Sequence, residues 1–248
     1  MALLAAHSLL PYVKHTMTDL NIDYIFKIDN AIKGQFSLQI DSQTLEKVNR
    51  HKDVMPEWTQ LEFNQCPHCP LNPESSPYCP VAVCLIDIID KFNDVVSYKE
   101  VELEVITNTR TISQHTTAQR SLSSLLGLMF ATSGCPHTNF FKPMARFHLP
   151  LASPEETVFR AAGMYLLSQH YMAQQGKPAQ WTLDGLKEIY KNLQTLNLSI
   201  VKRIDAAVIN DATKNAIVIL DMLANFVPIV IDDHMETIRH LFESYLQD

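Results

Sequence analysis

Glycine is scarce in this chain: six occur in 248 residues. A phosphate-cradling loop needs glycines clustered where the backbone must approach its ligand, so a nucleotide-binding loop is hard to place. Also missing are a Gly-x-Ser-x-Gly elbow, a His-Glu-x-x-His helix and any Glu-x-x-His pair. Their absence removes the commonest signatures of serine hydrolases, zinc proteases and di-iron bundles. No basic run interrupts a net charge of −7, so neither nucleic acid nor an anionic membrane is an expected partner. The longest apolar stretch, 216–231, is broken by Asp221, Asn225 and Pro228. It falls short of the roughly 20 residues that a membrane span needs, and a buried helix is expected there. There is no internal repeat and no low-complexity tract.

The amino terminus lacks the cationic start of an export signal. Residues 1–16 carry Leu3, Leu4, Leu9 and Leu10. With Met17 as a natural second start, they read as an upstream extension or a cloning scar, or else as a terminal helix. Without an export signal the expected setting is cytoplasmic and reducing, where paired cysteines point to metal or redox chemistry rather than structural disulfides. An apolar share of 46% with 19% charged residues is that of a folded globular protein, which excludes disorder.

Period-two alternation marks the first part as sheet. Tyr24, Phe26 and Ile28 alternate with Ile25 and Lys27; Phe36, Leu38 and Ile40 alternate with Gln35, Ser37 and Gln39 beyond the loop ending at Gly34. The two runs predict a hairpin. A strand is expected over 58–64 and another over 98–106, the latter with Glu100, Glu102 and Glu104 on a wet face. Between them, Val81, Cys84, Leu85, Ile88 and Phe92 fall on one face of a helix.

From Thr116 onward the pattern is helical. Thr116 and Gln119 suggest a capping box for a helix ending at Gly134. Ser153-Pro154-Glu155-Glu156 is the clearest helix start in the chain. Further helices are expected near 154–175, 182–206, 212–226 and 232–246, the last capped by Asp232 or Asp233. The expected fold is α+β: a possible extension at 1–16, an antiparallel sheet module with a Cys-Pro-rich loop and one helix over 17–110, and a helical bundle over 111–248.

Chemistry concentrates in the cysteines. Cys66, Cys69, Cys79 and Cys135 are each followed by proline; the fifth, Cys84, is not and lies on an apolar helical stripe. Cys84 is therefore expected to be a buried core residue. Four thiolates suit a tetrahedral zinc ion and equally an iron–sulfur cluster. Cys66 and Cys69 form a Cys-x2-Cys loop. Cys79 is placed to cap the next helix, whose dipole favours the thiolate. Pro70, following the second cysteine, has no N–H to point at sulfur. His68 and His137, beside the cysteines, are further candidate ligands or solvent-facing side chains.

Cys66-Pro67-His68-Cys69 resembles the active-site tetrapeptide of thiol oxidases of the thioredoxin superfamily. Those enzymes start a helix at the motif, and here Pro70 and Pro73 oppose one. The segment Cys66-Pro67-His68-Cys69-Pro70-Leu71 resembles the Cys-Pro-x-Cys-Pro-Leu segment of functionally uncharacterised bacterial proteins. That resemblance implies no activity, only a bacterial, cytoplasmic origin. The function expected from the residues is a zinc-holding protein that acts by binding another protein. An iron–sulfur redox or sensor protein is the alternative, and a dithiol oxidoreductase a second.

Overall fold

The computed structural model describes residues 18–48, 55–207 and 211–247; the segment 1–16 lies outside them. Strand β1 (Leu20–Ile28) turns directly into β2 (Ala31–Ile40) through Asp29 and Asn30. Both turn residues are left-handed, with φ of 51° and 64°, the backbone that matches the twist of a hairpin. This turn is tighter than the alternation alone suggested. Strand β3 (Glu100–Thr107) pairs with β1, and β4 (Thr111–Thr117) pairs with β3, so the antiparallel order is β2-β1-β3-β4. Strand pairing thus continues past residue 110.

Alternation decides which face is dry. Ile22, Tyr24, Phe26, Leu38, Val101, Leu103 and Val105 are buried, while Lys27 on the other face lies 3.5 Å from both Glu102 and Glu104. Helix α1 (Pro80–Phe92) covers the dry face. Phe92 packs edge-on against Phe26, with ring centroids 5.1 Å apart, and Gly34 lies under the same ring. A Cβ at Gly34 would come within 2.9 Å of Phe92 Cε2, so only glycine admits this approach.

Helix α2 (Ala118–Ala131) follows β4 without a capping box. Its first N–H groups bond instead to Lys99 and Ser97 carbonyls, at 2.8 and 3.0 Å, which leaves Thr116 nothing to cap. Gly134, at φ 86°, follows its end. After the short α3 (Lys142–Arg146), α4 (Pro154–Gln174) opens on the expected capping box between Ser153 and Glu156. Next come α5 (Asp184–Asp205) and α6 (Ala212–Asp232), then the short α7 (Glu236–Arg239) and α8 (Glu243–Leu246). One apolar core joins the sheet, α1 and α2 to Leu196, Ile200 and Ile204 of α5 and Ala216 and Ile217 of α6. A second joins α4 to the other ends of α5 and α6 through Val158, Tyr165, Tyr190 and Val227. The fold is α+β, a small antiparallel sheet followed by helices.

Four expectations are corrected. Residues 58–64 are not a strand: a 3-10 turn spans Glu57–Thr59, and a single bridge joins Gln60 to Tyr78. Helix α6 does not stop at 226 but runs through Pro228. Proline removes the N–H that would bond the Ala224 carbonyl, and Gln194 Nε2 of α5 supplies that bond at 2.9 Å. The expected helix 232–246 is broken at its start by His234 and Met235, both at positive φ, and neither Asp232 nor Asp233 caps a helix there. Nor is α6 buried all round. It is long and apolar enough to cross a membrane by length and composition. Ala216, Ile217, Ala224 and Val227 face the core, while Val218, Met222, Phe226 and Ile229 form an exposed stripe.

Candidate metal centre

The four Cys-Pro cysteines come from three segments of the chain. Cys66 and Cys69 share a turn closed by Cys69 N–H on the Cys66 carbonyl at 3.0 Å. Cys79 is the N-cap residue of α1, with Pro80 in the first turn, and its own N–H donates to Thr59 O at 2.8 Å. Cys135 follows the end of α2 and is held by its N–H on Ser133 Oγ at 3.1 Å. Cys79 and Cys135 are buried; Cys66 and Cys69 are half-buried.

The thiols are electrostatic neighbours. Burial is the largest effect on Cys66, Cys79 and Cys135, pushing each thiol up and Cys135 up to about 12. Charge on Cys79 or Cys69 raises Cys66 further, and charge on Cys79 or Cys66 raises Cys135. Opposing effects come from built-in donors. The backbone N–H groups of Val81 and Ala82 lower Cys79, and those of His137 and Thr138 lower Cys135, although the Thr138 N–H itself donates to the Cys135 carbonyl at 3.1 Å. The Cys79 pair stops short of closing a capping hydrogen bond. In both cases the proline occupies the position whose N–H a helix-like turn does not need.

Arg203, near the end of α5, completes the surroundings. Its side chain is 1% exposed and donates to the carbonyls of Trp58, Gln60 and Leu61 at 2.8, 2.6 and 2.7 Å. Its Nε is buried without a partner among the described residues. Its positive charge holds both Cys66 and Cys79 below where burial alone would put them, and Ser199, one turn earlier on α5, hydrogen-bonds Cys66. A buried guanidinium normally requires a nearby negative charge. Here the groups able to supply one are thiols.

The two histidines are stacked on each other rather than turned to solvent, with ring centroids 3.9 Å apart. His68 Nε2 lies 3.0 Å from Asn192 O, and His137 Nε2 lies 2.9 Å from His68 O. Since carbonyls only accept, both Nε2 atoms carry the proton, and Nδ1 is the nitrogen left to offer. His68 Nδ1 is buried without a partner among the described residues. Burial, and then the His137 charge, hold His68 below the usual range against the pull of the Asn192 carbonyl. The stack ties the 66–69 turn to the 135–138 turn.

As they stand, no three Cys, His, Asp or Glu side chains among the described residues are gathered closely enough to hold an ion. Four thiols, two of them within the influence of the Arg203 charge, are donors of a type that zinc accepts, though they do not form a closed donor set here. Cys84 stands apart, half-buried rather than fully buried as expected, with its sulfur 3.8 Å from Met129 O on α2. Sequence reasoning missed Arg203 and Ser199. The available signal for Arg203 was a charge on the same helical stripe as Leu196 and Ile200, since a cation on a buried face needs a reason.

The model of one protein family, a domain of unknown function (DUF6901), matches residues 22–243. No curated protein and no solved structure matches the chain.

Proposed function

We propose a structural zinc site for this chain, which belongs to the DUF6901 domain family, with Cys66, Cys69, Cys79 and Cys135 as ligands and with its function exerted by binding another protein. One observation carries the reading: the charge of a buried arginine that has no carboxylate at ion-pair distance among the described residues acts on Cys66 and Cys79, and these two act in turn on Cys135. Zinc would supply a cross-link between the 66–69 turn, the start of α1 and the end of α2. The chain's own groups would do the rest. The N–H groups after Pro80 and Pro136 would favour the thiolates of Cys79 and Cys135, and Arg203 would offset part of the negative charge that four thiolates bring. Closure then couples metal binding to packing of the sheet against the helices. A cytoplasmic, bacterial setting suits thiols kept reduced. The exposed stripe Val218, Met222, Phe226 and Ile229 on α6 supports the partner reading.

The same four donors suit an iron–sulfur cluster, which remains the alternative; visible absorbance separates the two. A dithiol oxidoreductase is less well supported. Its attacking thiol needs a depressed pKa, whereas burial pushes Cys66 up and α1 begins at Pro80 rather than at the motif.

The test is an anaerobic titration of metal-free protein with zinc, read in released protons. Because burial holds Cys66, Cys79 and Cys135 protonated, saturation near one equivalent should release more than two protons per zinc in neutral buffer. Weak uptake without proton release would sink the thiolate site.

A further inference from the structure

A second polar feature lies away from the cysteines, in the helical half. A pocket of about 200 Å³ opens between α2, α3, α4, α5 and α6. Its walls are mostly apolar, with Leu128, Phe130, Leu193, Ile219, Leu220 and Leu223 among them. Two charged residues line it, Arg120 and Arg160, and no aspartate or glutamate does. In a chain of net charge −7, a pocket whose only charges are cationic selects for an anion.

The two arginines are placed differently. Arg120 is exposed. Arg160 is half-buried, and one of its terminal nitrogens is positioned by the carbonyls of Met144 and Phe147 at 3.0 and 2.8 Å. No carboxylate lies at ion-pair distance from it among the described residues. Glu156, one turn back on α4, is its nearest acidic influence, but that carboxylate is taken by the Ser153 N–H at 2.7 Å. His148, also in the wall, is turned to Tyr24 of the sheet. Burial keeps His148 neutral, so it does not compete for an anion.

The pocket also leaves room where a helix ordinarily would not. Gly127 lines it from the interior of α2, where glycine costs about 1 kcal/mol relative to alanine. A Cβ there would meet only Leu220 Cδ2, at an ordinary 3.7 Å. Close packing therefore does not require glycine; an open pocket does.

We propose that this pocket binds a small apolar molecule bearing one carboxylate, the carboxylate on Arg160 and the apolar body among the leucines of α2, α5 and α6. An apolar cavity of about 150 Å³ admits benzene, so this one suits roughly ten non-hydrogen atoms. The inference does not depend on the zinc reading, since none of the four cysteines lines the pocket.

The test is calorimetry on the full chain with octanoate, 3-phenylpropanoate and the neutral isostere octan-1-ol. At least one carboxylate should bind, and octanoate should bind at least about tenfold more tightly than octan-1-ol, as a charged hydrogen bond implies. Arg160→Gln should remove that preference. Gly127→Leu fills the pocket and should abolish binding while leaving the melting temperature unchanged or raised. The Gly127→Leu result and the alcohol comparison stand even if Arg160→Gln fails to fold. Equal affinity for acid and alcohol, no binding of either acid, or undiminished binding by Gly127→Leu would overturn the proposal.

Discussion

Two arginines, Arg203 on α5 and Arg160 on α4, are both positioned by backbone carbonyls, and neither meets a carboxylate at ion-pair distance among the described residues. Arg203 is sealed, with three carbonyls on its guanidinium and its charge acting on Cys66 and Cys79. Arg160 is half-buried, with two carbonyls on one nitrogen and a pocket beside it. The difference teaches where each charge is balanced. At Arg203 the balancing groups belong to the chain and are covalently placed, which suits a fixed, structural role. At Arg160 the chain provides space instead, which suits something that comes and goes.

That contrast predicts unequal costs of removal. Arg203→Met should be the most damaging, because it strands three carbonyls, that of Leu61 buried, and removes the cation that acts on Cys66 and Cys79. A loss of about 3–5 kcal/mol is expected, the usual cost of breaking a buried charged network. Urea unfolding measures it, with zinc affinity falling in the same variant. A loss under about 1 kcal/mol would show that Arg203 is not the keystone of the site.

Acid should act on the other region. Tyr24 hydrogen-bonds both Ser124 of α2, at 3.0 Å, and His148. Burial, then the Arg160 charge, hold His148 down to about 3. Between about pH 6.5 and 3 the unfolded chain binds a proton at this residue that the folded chain refuses, so stability rises with pH across that window. Acidification from neutral should therefore cost up to about 1.4 kcal/mol per pH unit from this residue alone. The Tyr24→Phe and His148→Gln variants should flatten the slope. The cysteines behave oppositely in the metal-free protein. Their folded pKa values are raised, so their stabilising effect is complete below the ordinary thiol pKa and is lost above it.

How much of this was legible in the sequence depends on how local each cause is. The alternation in β1, β2 and β3 and the Ser153 capping box were readable because each rests on residues close in sequence. Strand β4, Thr-Ile-Ser-Gln-His-Thr-Thr, was not, since an edge strand with both faces largely wet shows no apolar period. The 58–64 segment alternates like a strand yet finds Arg203 as its partner instead of a neighbouring strand. Pro228 looked like a stop because Gln194, which rescues its orphaned carbonyl, lies a whole helix away. The Cys-Pro cysteines could be sorted from Cys84 by their neighbours alone. Arg203 and Ser199 depend on contacts across more than half the chain, the histidine stack on residues 69 apart, and the pocket on five helices meeting.

The smallest expected effect sharpens the contrast between fixed and open regions. Gly127→Ala should stabilise the protein by about 0.5–1 kcal/mol, because it relieves a mid-helix glycine without a clash. Thermal unfolding measures it. Destabilisation would mean that α2 cannot accept even a methyl group, and that the space beside it is not open.

Elemental analysis of anaerobically purified protein tests whether the four Cys-Pro cysteines hold one metal ion together. Wild type and Cys84→Ala should each carry about one zinc per chain, while Cys135→Ser should lose most of it, because a structural zinc site is closed by four protein ligands. Zinc-free wild type, or a Cys135→Ser variant that keeps its full zinc, would contradict the account.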